Sequence, residues 1–407
     1  MNRFIQLMAS LAITALLNGC SNKSSSADAP PDFKAVAGDS SVTITWTAAA
    51  DVEYWVFYAK GSNVTSTNWL SLGGTAVTKV TSPYTLGGLV NGTTYSFTMN
   101  GRKNGGPGGS GAPTQVLTPR LAGANWVTGA PLGTARLNGV GATATSNAAV
   151  GAGGAIFSIA TGAAAVTQTN PAAPADLNAV ANGGLGLAAI GNAGTVIFTT
   201  DALTWATKTS GTVADLYALA TPATGAFAAF GAAGTIITSS DASTWISATS
   251  GTTKNLYGGV YGGARYVAVG AEGTLITSTD GISWQTIAVN TTRDLRAVGF
   301  AALVTTSGTT TTTTNTYVAL GAAGTLLTST DGLAWTLRTP LSTGNINAVV
   351  YGGQFVAVGA NGAIFTSADG IVWQTQTSGT TNELTAIART ATGYVAVGAA
   401  GTYLTSR

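Results

Sequence analysis

The sequence contains no histidine, and that single absence removes the Ser-His-Asp and Cys-His nucleophile pairs, the histidine metal ligand and the imidazole general base. Only one cysteine is present, so no disulfide forms within the chain. Charge is scarce: 8% of residues are charged, with 17 Lys and Arg against 15 Asp and Glu for a net +2. Capture of nucleic acid needs concentrated Lys and Arg, so no nucleic-acid partner is expected. Beyond the N-terminus no stretch approaches the roughly 18 uninterrupted apolar residues of a membrane span. What the chain does have is 55 glycines in 407 residues and 45% hydrophobic residues, with abundant Thr, Val and Ala. That composition argues for strands joined by tight turns, an all-β protein with no cofactor and no metal site. The length sets a prior of two to three domains.

The first residues read as an address. Arg3 gives a short basic start, Phe4 to Leu17 an apolar run, and Leu17-Asn18-Gly19-Cys20 ends it. The tetrad resembles the bacterial lipobox, with Asn18 where a small or apolar residue is usual. The resemblance implies a signal peptide over 1–19, lipidation at Cys20 and, with Ser21 rather than Asp following, anchoring in the outer membrane, at its periplasmic or cell-surface side. Residues 20–31, including SNKSSSADAPP, read as a flexible stalk.

From 32 to 119 the chain alternates short strands and turns. Val42 to Trp46 alternates, Tyr54 to Tyr58 is a dense aromatic strand, and Tyr95 to Met99 alternates again. Trp46, the Leu89-x-x-x-Thr93-x-Tyr95 spacing and the NGGPGGSG turn from Asn104 resemble a fibronectin type III domain. The resemblance implies a β-sandwich used as a spacer or adhesion module, with Tyr95 as the tyrosine corner whose hydroxyl bonds back to the backbone. Trp55 and Phe57 are expected in packing rather than in a binding patch.

The segment 122–407 is an internal repeat. A G-x-x-G step recurs at Gly151, Gly191, Gly231, Gly270, Gly321, Gly359 and Gly398. An apolar strand follows each, then a Ser/Thr-x-Asp-Gly-x-x-Trp turn, clearest at Asp280 and Trp284, Asp331 and Trp335, and Asp369 and Trp373; degenerate copies carry Asp201 and Trp205, and Asp241 and Trp245. Eleven residues after each Trp an aliphatic residue opens the next unit, and the openings Leu137, Leu177, Leu216, Leu256, Leu295, Ile346 and Leu384 are 40, 39, 40, 39, 51 and 38 residues apart. The last unit stops at Arg407, where its Asp turn is due, and Trp126 lies eleven residues before Leu137. One period is thus split between the two ends, the pattern of a seven-bladed β-propeller whose last blade is completed by its N-terminal strand.

The turn resembles the Asp-box, or BNR repeat, of sialidases and of the photosystem II stability and assembly factor family, with one residue fewer between Asp and Trp. Its expected role is structural: the carboxylate accepts backbone N–H groups, Gly permits positive φ and Trp covers the hairpin base. Unit one has lost it, with Thr161 and Ala165 at the Asp and Trp positions. Of ten acids in the segment, five are turn aspartates and four, Asp176, Asp215, Asp294 and Glu383, precede an opening aliphatic residue, leaving only Glu272. A glycosidase needs two convergent carboxylates, and the sialidase arginine cluster and nucleophilic tyrosine have no match here. The protein is therefore not expected to be an enzyme; a sialidase-like glycan-processing enzyme is the alternative from that class.

Two sets of residues stand in register around the opening aliphatics. Before them lie Arg136, Asp176, Asp215, Asn255, Asp294, Asn345 and Glu383; after them lie Asn138, Asn178, Tyr217, Tyr257, Arg296, Asn347 and Thr385. With the first strand of each blade innermost, these positions ring one mouth of the channel. The competing reading is turn chemistry, Asx side chains capping the connection between blades. The candidate ligand-binding rim is Asp176, Asp215, Tyr217, Asn255, Tyr257, Asp294, Arg296, Asn345 and Glu383. Strand alternation puts the Asp turns and the incoming chain on the opposite face, so the rim is expected to point away from the anchor. The insertion in unit five, with Thr309 to Thr314, is expected as a disordered or extended loop. Taken together these readings describe a monomeric, lipid-anchored binding or scaffold protein of the cell envelope, holding an unknown protein or glycan ligand; an assembly factor for a membrane complex is the second alternative.

Overall fold

The computed structural model describes residues 24–406 apart from 161–164, 173–174, 223–225 and 308–309; the segment 1–19 expected as a signal peptide and Cys20 lie outside the described residues. The chain divides into two compact units, Met1–Arg120 and Leu121–Arg407. Strands and short 3-10 turns make up both, and no α-helix occurs among the described residues.

In the first unit a three-stranded sheet, Lys34–Gly38, Ser41–Thr45 and Tyr84–Leu86, faces a five-stranded sheet built on Tyr95–Lys103 and Glu53–Lys60. Their inner faces share one core in which Val42, Ile44, Val56, Phe97 and Met99 are fully buried. The Tyr95 hydroxyl accepts the N–H of Val90 at 3.2 Å. Phe57 is buried, and the Arg102 guanidinium lies 3.6 Å over the Trp55 ring.

The stalk expectation is corrected at Ser25–Ala27, which form a strand paired with Gly101–Lys103. Gln115–Leu117 cover only the Tyr95–Phe97 end of that edge, so backbone donors and acceptors remain beyond it, and any extended segment within reach satisfies them. The glycine-rich turn makes room: a Cβ at Gly106 or Gly109 would collide with the backbone of Ser25 or Ala27.

The second unit contains seven four-stranded sheets, hereafter blades 1 to 7. Their first strands are Leu137–Ala142, Leu177–Asn182, Leu216–Ala220, Leu256–Gly262, Leu295–Ser307, Ile346–Tyr351 and Leu384–Arg389. Each packs against the next, and the seventh packs against the first, which closes the ring. Blade 7 takes its outer strand from the start of the unit: Trp126–Thr128 pairs antiparallel with Tyr403–Ser406, Ser406 opposite Trp126 and Leu404 opposite Thr128.

Closure completes more than a sheet. In blades 4, 5 and 6 the serine hydroxyl two residues before the turn Asp accepts the N–H of Gly281, Gly332 or Gly370. In blade 7 the Ser406 hydroxyl accepts the N–H of Gly123 at 2.8 Å, and Trp126 Nε1 donates to the Gly123 carbonyl as Trp284 does to Gly281 and Trp373 to Gly370. The turn of blade 7 is thus assembled from both ends of the unit.

The insertion of blade 5 lengthens its first hairpin, Leu295–Ser307 against Thr310–Gly321, paired in register from Ala297 and Leu320 out to Thr306 and Thr311. β-branched threonine suits a solvated strand, so the run extends the sheet rather than looping away from it.

The glycine of each G-x-x-G step is fixed by contact. A Cβ at Gly191 would overlap the Asp176 carbonyl oxygen, and the same collision recurs at the other six steps. The step therefore presses the end of the second strand against the residue preceding the first, and places both at the mouth of the channel.

Candidate functional site

The two registers at the mouth separate in the structure. Among the residues before the opening aliphatics, five cap the preceding blade. Asp176 accepts the N–H of Gly153, Asp215 that of Ala193, Asn255 that of Ala233, Asp294 that of Glu272 and Asn345 that of Ala323, at 2.7 to 3.2 Å. Ala193, Ala233, Glu272 and Ala323 stand at φ 49 to 55°, where the turn leaves the N–H pointing outward, and a short Asx side chain reaches it. Asp176, Asp215, Asn255, Asp294 and Asn345, expected at the ligand-binding rim, are thus each held on the neighbouring turn through Oδ1. Glu383 is a further departure. It pairs with Arg136 at 2.6 Å across the blade 7–blade 1 junction and accepts Asn347 Nδ2 at 2.9 Å. The Arg136 hydrogen bond holds its carboxyl below the usual range against the effect of burial, with help from Asn347 and the charge of Arg296.

The residues after the opening aliphatics line a cavity of about 380 Å³, together with Arg136. Four of them bridge blades. Asn138 Nδ2 donates to the Leu177 carbonyl, Asn178 to Leu216 and Asn347 to Leu384, at 2.9 to 3.0 Å. The Thr385 hydroxyl donates to the Leu137 carbonyl and so makes the same bond at the closure.

The other three, Tyr217, Tyr257 and Arg296 on blades 3, 4 and 5, do not make this bridge. They line the cavity with the other four but leave the next strand's carbonyl without a side-chain donor from this position. The two rings lie 5.8 Å apart at 47°. Burial, then the Asp215 charge, pushes the Tyr217 hydroxyl above its ordinary pKa, so it remains a neutral donor. Arg296 makes no ion pair among the described residues, and its Nε is buried without a partner. A second space of about 190 Å³ is lined by the same residues and the small ones after them, among them Gly139, Ala179, Gly258 and Ala386.

Among the described residues no carboxylate lines the cavity, and Glu272 is paired with Lys254 at 2.6 Å on the turn after Gly270. The lining thus offers two phenols and two guanidinium groups, that of Arg136 paired with Glu383 and that of Arg296 without an ion pair among the described residues. Asn138, Asn178, Asn347 and Thr385 stood outside the sequence-based ligand set although they share its register; the cue was their position one residue after the opening aliphatic, where a side chain of an innermost strand faces the mouth.

On the opposite face each turn aspartate is consumed locally. Asp201, Asp241, Asp280, Asp331 and Asp369 each accept the N–H groups two and three residues on, at 2.7 to 2.9 Å. The backbone bonds hold Asp201, Asp241 and Asp280 down at about 2. Trp205, Trp245, Trp284, Trp335 and Trp373 pack between their own blade and the one before.

The family model for the fibronectin type III domain matches residues 28–117. Solved structures similar to this chain are β-propellers. YCF48 bound to D1 peptide aligns with a TM-score of 0.56 at 17% identity, over 69% of this chain and 94% of that one. A streptogramin B lyase aligns at 0.57 and 10% identity, over 70% and 99%. The virginiamycin B lyase of Staphylococcus aureus aligns at 0.53 and 10%, over 69% and 99%. At these identities the likeness shows the fold alone. No curated protein sequence matches the chain.

Proposed function

We propose that this protein is a non-catalytic binding scaffold of the cell envelope, holding a protein ligand at the propeller mouth through Tyr217, Tyr257 and Arg296. The observation that carries the reading is the break in the ring: of the seven positions that line the cavity, four are spent joining blades, while the three adjacent ones, Tyr217, Tyr257 and Arg296, make no such bond. Aromatic rings and arginine are the side chains that dominate binding energy at protein interfaces. That YCF48 is bound to a peptide on a similar fold supports a peptide over a glycan. The absence of any carboxylate among the described residues of the cavity wall argues against glycan hydrolysis.

The test is selection of a random-peptide library on the full chain, followed by affinity measurement on Tyr217→Ala/Tyr257→Ala/Arg296→Ala. Selected peptides bind the triple variant at least about tenfold more weakly while its melting temperature stays within a few degrees. Undiminished binding overturns the assignment.

Attachment to the membrane through a lipid on Cys20 rests on the apolar run and the tetrad that ends it. Cys20→Ala is expected to abolish incorporation of labelled fatty acid and move the protein from the membrane to the soluble fraction; retention with label present elsewhere would refute it. Service to a membrane complex is the second reading, resting on the resemblance of the Asp turn to the repeat of the photosystem II stability and assembly factor family, and predicts a stable co-purifying complex in detergent extracts.

A further inference from the structure

Six of the seven junctions between blades are filled, on the Asp-turn face, by a tryptophan. Counted from the first glycine of the G-x-x-G step, the position fourteen residues on is Trp205, Trp245, Trp284, Trp335 and Trp373 in blades 2 to 6, and Trp126 takes the place in blade 7. Each belongs to a cluster of apolar side chains from its own blade and the blade before: Trp245 with Ile190 and Phe227, Trp373 with Leu320 and Phe355, Trp126 with Val358 and Tyr394. In blades 3 to 6 the ring also meets a Phe or Tyr four residues before that glycine, with centroids 5.9 to 6.2 Å apart.

Blade 1 lacks both rings. Ala165 stands at the tryptophan position and packs into the cluster that contains Val395 and Val397 of blade 7; Asn147 stands where the others have Phe, Tyr or Leu. At this junction lies a cleft of about 350 Å³ walled by Asn147, Ile159, Val395 and Tyr403, with Thr392 among its exposed lining. Val395 and Ile159 are buried, and among the described residues no charged side chain lines the space. An apolar floor with uncharged hydroxyl and amide groups around it discriminates against ions, which would lose hydration with no counter-charge to replace it. A flat neutral ring loses little and regains the packing that an indole makes elsewhere.

We propose that this cleft is a receptor for a neutral aromatic group of another molecule, an indole or phenyl ring entering the seat that the chain fills for itself at the other six junctions. The site is on the face opposite the mouth and independent of the ligand proposed there. Its test is calorimetric titration of the full chain with N-acetyltryptophanamide, with methyl α-glucoside in parallel because hydroxyl-lined clefts also suit sugars. Expected are saturable binding of the amide, none of the glucoside, and at least about tenfold weakening in two variants. Ala165→Trp refills the seat from within. Thr392→Arg places a guanidinium over the exposed edge without entering the core, and so decides the matter should the first variant fold poorly. Binding of the glucoside but not the amide, no saturable binding of either probe, or binding of the amide at full strength to Thr392→Arg would each overturn the proposal, whatever becomes of the peptide test at Tyr217, Tyr257 and Arg296.

Discussion

Half of the channel mouth holds the ring together and the other half does not. On blades 6, 7, 1 and 2, Asn347, Thr385, Asn138 and Asn178 each reach one strand sideways to the next blade's opening carbonyl. On blades 3, 4 and 5 the same position carries Tyr217, Tyr257 and Arg296, and the bridge is missing. The backbone is the same on both sides; what differs is whether the side chain is used by the fold. The contrast teaches where to look in a repeat protein. A position that keeps a short polar residue in most units is doing structural work there, and the units that depart from it are the ones free to recognise something.

The comparison can be broken from either side. Asn178→Ala removes two bonds of one amide, to the Leu216 carbonyl and to Asn192 Oδ1, and leaves both acceptors unmatched. A loss of about 2 kcal/mol in urea unfolding is expected, with peptide binding at the mouth retained; a loss of binding without a change in stability would erase the distinction between the halves. Tyr217→Asn moves a member of the second half into the first. The new amide is placed to donate to the Leu256 carbonyl as Asn178 does to Leu216, so stability should rise by about 0.5–1 kcal/mol as binding falls. A destabilised variant would show that the bridge depends on more than the side chain.

The smallest effect distinguishes the two faces. Asp201, Asp241 and Asp280 are held at about 2 in the folded chain, below the usual carboxylate range of about 4. Their contribution is complete above about pH 4 and is lost as pH falls through about 2. The melting temperature should decline over that interval, and less steeply in Asp280→Asn. The amides of Asn138, Asn178 and Asn347 do not titrate there, so an equal slope in Asp280→Asn would mean that the Asp turns are not the source.

Much of this was legible beforehand. The period near 40, the glycine steps and the division of one unit between the two ends are matters of spacing, and Trp126 stands opposite Ser406 as that spacing requires. The division of labour at the mouth was not legible. Asp176 and Asn138 both read as short polar residues beside an aliphatic one, and only the direction in which each side chain leaves the strand separates a cap on the turn behind from a bridge to the blade ahead. Ser25–Ala27 carry no strand signal at all; the free edge of Tyr95–Lys103 recruits them. The threonine run was equally open, since its pairing depends on the hairpin it prolongs.

By itself the sequence determined everything that repeats, because a period is set by local geometry: glycine where a carbonyl allows no Cβ, aspartate where a turn exposes two N–H groups, tryptophan where a hairpin base needs cover. Only the tertiary structure decided what happens between units. Whether a polar side chain is spent on a neighbour or faces the cavity, and whether a junction is filled or left as a cleft, depends on residues some forty positions apart meeting across the ring, and no local pattern records that distance.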